Sequence, residues 1–204
     1  NNDVTKFRTG SLVKAGEGEV ILNTKNTYSG GTKIEKGTVT VGDNEALGTG
    51  QVILADGTTL KNTQTVSLAN QIQVGGTTGT ATGAVTISTV SNSQMTLTNA
   101  VTGDAGITKT GIGTLVLNGV NTYKGQTLIQ EGTMEINSAA ALGTHSDLSL
   151  SAGATLKTTA EMKETAEKDG RLSKNILLVG QAGSQATINT TGGDVVLSGK
   201  LQND

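Results

Sequence analysis

Apolar residues alternate with Thr, Ser or Gln along most of this chain, over three or four positions at a time. Examples are Thr38-Val39-Thr40-Val41, Val66-Ser67-Leu68, Ile72-Gln73-Val74, Val85-Thr86-Ile87 and Met95-Thr96-Leu97. A period of two puts one face of a strand in a core and the other toward water. Gly, Asn and Asp interrupt every run, as at Gly42-Asp43-Asn44, Asp56-Gly57 and Gly75-Gly76, and these residues favour tight turns. The pattern predicts short β-strands in a chain that turns a corner every few residues. Successive coils then stack, with inward side chains in ladders along one axis. Val39, Val41, Met134 and Ile136 are expected to line the tube, with Thr40 facing out. Helical spacing is found only near 160–171, where Met162 and Ala166 lie four apart among Glu and Lys. It predicts a short helix or charged loop projecting from the rod.

A second, longer pattern overlies the first. Residues 14–48 repeat at 109–143 at a constant offset of 95, with sixteen identities in 35 positions. The identities include Lys14/Lys109, Gly16/Gly111, Gly18/Gly113, Leu22/Leu117, Asn26/Asn121, Thr27/Thr122, Tyr28/Tyr123, Gly30/Gly125 and Gly37/Gly132. Ala46-Leu47-Gly48 recurs as Ala141-Leu142-Gly143. Long self-similarity is the mark of a repeat architecture. The copy divides the chain into a first repeat segment, 1–106, and a second, 107–204, with the charged insertion in the second; both belong to one continuous solenoid and a longer array. At roughly 20–25 residues per coil the chain makes about nine coils, a rod about 40 Å long at the spacing of paired strands.

Composition separates this reading from its all-β alternative. There are 29 Gly, no Pro, Cys or Trp, and only three aromatic residues, Phe7, Tyr28 and Tyr123. A β-sandwich favours longer strands and aromatic anchors; a narrow aliphatic tube needs neither. The net charge of −2 points to no nucleic-acid partner. Without Cys, disulfide and thiol chemistry are excluded. No apolar run approaches the ~20 residues of a membrane-spanning helix.

The duplicated block carries a family resemblance. Gly111-Ile112-Gly113-Thr114-Leu115-Val116-Leu117-Asn118-Gly119-Val120-Asn121-Thr122-Tyr123-Lys124-Gly125, then Gly132-Thr133 and Ala141-Leu142-Gly143, resembles the passenger-associated transport repeat of bacterial autotransporters. Both copies match over about 35 residues; Glu19-Val20, Gln126 and Met134 depart from the motif and preserve the alternation. The resemblance implies a right-handed parallel β-helix, exported through the protein's own C-terminal outer-membrane β-barrel. It also implies a place at the bacterial surface or outside the cell. Such passengers are adhesins, self-association factors or stems for toxin and protease domains. Host ligands and other passengers are the implied partners.

Candidate chemistry is sparse. His145, the only histidine, lies in Thr144-His145-Ser146-Asp147. Adjacent residues on a strand point to opposite faces, so this run cannot form a Ser-His-Asp relay. A lone His makes a transition-metal site unexpected. Thr191-Gly192-Gly193-Asp194 reads as a turn, not a calcium repeat, because it lacks tandem copies. Asn189-Thr190-Thr191 is a glycosylation acceptor only in a suitable host. The Gly-rich run from Gly75 to Gly83 has no following Lys to hold phosphate. No cofactor, metal or catalytic set is expected. The sixteen glycines, leucines, asparagines, threonines and tyrosines of the motif paired above are expected to be structural.

Overall fold

The computed structural model describes residues 10–76, 83–145, 147–159, 172–181, 183–191 and 194–203. Every strand pairing is parallel, and the chain winds into a β-solenoid with three faces. The nine-stranded face runs Glu19–Leu22, Thr38–Val41, Thr59–Asn62, Ala84–Ser88, Gly106–Thr110, Thr127–Ile129, Asp147–Ser151, Asn175–Val179, Leu201–Asn203. A five-stranded face stacks Leu12–Lys14, Thr32–Ile34, Val52–Leu54, Ile72–Val74 and Val101–Gly103. A six-stranded face stacks Val66–Leu68, Gln94–Leu97, Thr114–Leu117, Thr133–Ile136, Thr155–Thr158 and Thr187–Asn189. The eight steps along the longest face make a rod of about 38 Å. The short helix or charged loop expected at 160–171 lies outside the described residues.

Coil length is set by how few residues can cross a face and turn. Leu12 pairs with Thr32, Thr32 with Val52 and Val52 with Ile72, twenty residues apart each time. The step lengthens where insertions fall, as from Ile72 to Val101 and from Thr155 to Thr187. Register is maintained because a one-residue slip would turn every inward side chain out. Val20, Val39, Leu60, Ile87 and Lys109 form one inward column on the nine-stranded face. Val39, Val41, Met134 and Ile136 are fully buried, as the alternation predicts.

Thr40 departs from that prediction. It points outward but is only 2% exposed, because its hydroxyl donates to the Glu19 carboxylate on the coil below. The alternation gives the direction of a side chain and does not show what lies across it.

The two repeat copies occupy different faces. In the first copy, Leu12–Lys14 and Thr32–Ile34 lie on the five-stranded face, and Glu19–Leu22 and Thr38–Val41 on the nine-stranded face. Their counterparts 95 residues on, Gly106–Thr110 and Thr127–Ile129, lie on the nine-stranded face, with Thr114–Leu117 and Thr133–Ile136 on the six-stranded face. The offset is therefore not a whole number of coils, and the unit has advanced around the tube by one face. Only the nine-stranded sheet runs through both copies.

Candidate functional site

The motif residues converge on one structural unit, built twice. Asn26 Nδ2 donates to the Ala46 carbonyl at 2.7 Å, and Asn121 Nδ2 to Ala141 at 2.6 Å. The Asn backbone N–H groups reach Glu45 and Ala140, each at 3.0 Å. Tyr28 shares a hydrogen bond with Thr32 at 2.7 Å, and Tyr123 with Thr127 at 2.6 Å. The tyrosine carbonyls accept from Thr49 and Thr144 on the next coil at 3.0 and 2.9 Å. A β-carbon at Gly48 would fall 2.9 Å from the Tyr28 ring, and one at Gly143 2.7 Å from the Tyr123 ring. The Ala-Leu-Gly corner thus ends on glycine because φ is positive there and the tyrosine carbonyl and ring both crowd a β-carbon. This unit replaces a strand, so it supplies the backbone bonds a ladder would otherwise make. Tyr123 is fully buried, and burial pushes its phenol well above the usual tyrosine range, with the Thr127 hydrogen bond opposing.

Leu22 and Leu117 point inward. Thr27 and Thr122 are exposed, with the Thr122 N–H bonded to Val101. The N–H groups of Gly30 and Gly125 reach back to the carbonyls of Gly10 and Ala105, at 2.9 and 3.2 Å. Gly18 and Gly113 open their strands at the corner that follows Gly16 and Gly111.

A pair of buried lysines is the feature that motif reading missed. Lys14 Nζ donates to the carbonyls of Ala15, Gly16 and Lys36 at 3.4, 2.6 and 3.0 Å. Lys109 Nζ donates to Thr110, Gly111 and Glu131 at 2.8, 2.6 and 3.0 Å. Each ammonium ties its own corner to the coil above. The signal was present: both lysines occupy inward positions of the alternation and are identical across the repeat. Burial lowers the Lys109 pKa to about 8, against a raising influence from Glu131. Lys174 is lowered by burial too, opposed by Asp147, and donates to the carbonyls of Gly143 and His145.

Gly37 and Gly132 carry φ of +73° and +68°. A β-carbon there would be driven into the carbonyls of Gly18 and Gly111 respectively. Both the dihedral and the contact oppose a side chain. Ala at either site should therefore destabilise the rod by about 1–3 kcal/mol, measured by thermal or denaturant melting. Neutral results at both would remove this account of the corner.

The His145 region is arranged for structure. His145 Nδ1 accepts the Asp147 backbone N–H at 3.0 Å, while the Asp147 carboxylate accepts from Asn175 at 2.8 Å. The imidazole is therefore held by a main-chain group, where a relay needs the carboxylate; Ser146 lies outside the described residues. Among the described residues, no three His, Asp or Glu side chains are grouped to hold a metal, and no helix is long and apolar enough to cross a membrane. Parts of the Gly75–Gly83 and Thr191–Asp194 turns also lie outside the described residues.

Comparison with known proteins adds to this geometry. The passenger-associated transport repeat family matches residues 12–41 and 107–136, the same four-strand sets that occupy successive faces. The chain is similar to the adhesin BmaC autotransporter of Brucella suis biovar 1 (strain 1330), 33% identical over 150 residues, which cover 70% of this chain and 4% of that protein. It is also similar to an extracellular serine protease of Serratia marcescens, 46% identical over 43 residues, covering 21% of this chain and 4% of that protein. The chain thus spans a small fraction of the length of these relatives. No solved structure matches it. The duplicated strand-and-tyrosine unit, the family match at both copies and the similarity to BmaC make this chain a segment of an autotransporter passenger.

Proposed function

We propose that this segment belongs to a surface rod that acts in adhesion to host cells or in bacterial self-aggregation and carries no catalysis. In this reading the rod is exported through its own C-terminal outer-membrane β-barrel and remains at the cell surface or is released. The observation that carries it is the similarity to an adhesin over most of the chain. The uninterrupted nine-stranded face, lined outward by Thr38, Thr59, Thr86 and Thr108, supports it. The division into 1–106 and 107–204 then marks two copies of one stem-building unit, and the motif glycines, asparagines and tyrosines serve its shape.

A second reading is a passive stem presenting a distal toxin or protease domain. The short match to an extracellular serine protease favours it. Displayed on a non-clumping cell, the longer passenger should cause attachment or aggregation, and deletion of residues 1–204 in frame should abolish it at equal surface amounts. Attachment that survives the deletion, with less protein exported, would assign the segment to the stem.

A further inference from the structure

The outward side of the nine-stranded face is built for something periodic. Thr38, Thr59, Thr86 and Thr108 follow one another in register, about 4.8 Å apart, with Ser88 and Thr110 in register beside them. Where this ladder meets the corner, the strands begin on small residues, Gly106 over Ala84. The step leaves a groove of about 380 Å³, with Asp104, Thr108, Gln126, Leu128 and His145 in its lining. That volume is within the range of small-molecule sites.

We propose that this groove binds a short segment of a neutral saccharide chain lying along the rod axis. A saccharide offers hydroxyls that both donate and accept, and an apolar C–H face. The groove matches each need. Leu128 supplies the apolar contact, and Thr108 a hydroxyl. Asp104 supplies acceptor oxygens, one of them already held by Lys124 at 2.6 Å. His145 supplies a donor: its Nδ1 accepts the Asp147 N–H, so the neutral ring carries its proton on Nε2. Charge selects among saccharides. Asp56, whose carboxylate accepts the Gly83 N–H at 3.3 Å, and Asp104 stand along this corner against the Lys124 ammonium, while the Asp147 carboxylate is offset by Lys174. A sulfated or uronic chain meets net repulsion and a neutral one does not. With no aromatic platform the single contact is weak, and many copies on one surface supply the avidity.

This inference rests on the adhesive reading for its use, and the test keeps the two apart. The purified 204-residue chain is titrated with maltohexaose, cellohexaose and mannohexaose, with a heparin hexasaccharide as the anionic comparison, followed by backbone NMR shifts. At least one neutral chain should shift Thr108, Leu128 and His145 together, with heparin weaker there. Leu128→Arg should fill the groove and lower that affinity about tenfold or more with melting unchanged. If Leu128→Arg unfolds, His145→Ala, at a partly exposed position, replaces it with the same expectation. Silence from all three neutral chains, stronger heparin binding in the groove, or full affinity in the folded variant overturns the proposal. Cells that still attach with Leu128→Arg leave adhesion standing and sink the groove alone.

Discussion

Replacing Val41 with Asp should cost about 4 kcal/mol or more and unfold the coils around it. Val41 has no exposure and lies in a column with Leu22 below and Asn62 above. A carboxylate there would be buried in the aliphatic core. In a solenoid each coil is supported mainly by its neighbours, so the loss should spread along the axis. Thr59→Asp is the control: Thr59 faces out and is only half-buried, so its loss should stay below about 1 kcal/mol. Thr40→Asp should fall between, since it sets a second carboxylate against Glu19. Equal melting temperatures for Val41→Asp and Thr59→Asp would refute the inward assignment.

Lys109→Met should be the second large loss, about 2–3 kcal/mol, because it leaves carbonyls of Thr110, Gly111 and Glu131 without their shared donor. Its pH dependence distinguishes it from a simple packing defect. The folded pKa of Lys109 is lowered to about 8, against 10.5 in an ordinary lysine. Between those values the unfolded chain binds the proton and the folded chain does not. The stability of the wild type should therefore rise by up to about 3 kcal/mol from pH 8 toward 10. Tyr123 works oppositely. Its folded pKa is raised, so the stability it contributes is complete below the ordinary tyrosine pKa and is lost as pH climbs past it. The rise should therefore turn over near the ordinary tyrosine pKa, and Lys109→Met should lose the Lys109 share of the rising limb while keeping that of Lys174. Denaturant midpoints across this range decide the matter; parallel curves for the two proteins would show that Lys109 is not strained by burial.

Strand positions were legible because alternation is a direct record of which side faces the tube, and the runs at 38–41, 66–68, 72–74 and 95–97 all became strands. The parallel solenoid followed from strand brevity and the repeat. Four things were not legible in the same way. Thr40 is covered by a side chain from another coil, which local alternation does not register. The lysine clamps broke the expectation that inward positions are apolar, although their identity across the copies marked them. The shift of the unit from one face to the next was invisible, because period two reports in and out and is the same on all three faces. The coil length would have exposed it, since 95 is not a multiple of the twenty-residue step. The groove at Asp104 and His145 joins residues two coils apart, and no motif links them.

That one-face advance has a consequence for how such rods grow. The tyrosine unit takes the place of a strand on a different side in each copy, so duplication of the 95-residue unit works as a screw operation as well as an extension. Each added copy would carry the strand-free side a further step around the axis. A long passenger made this way would present its smooth sheets and its irregular corners as helical stripes, and its length would fix which stripe meets a neighbouring surface.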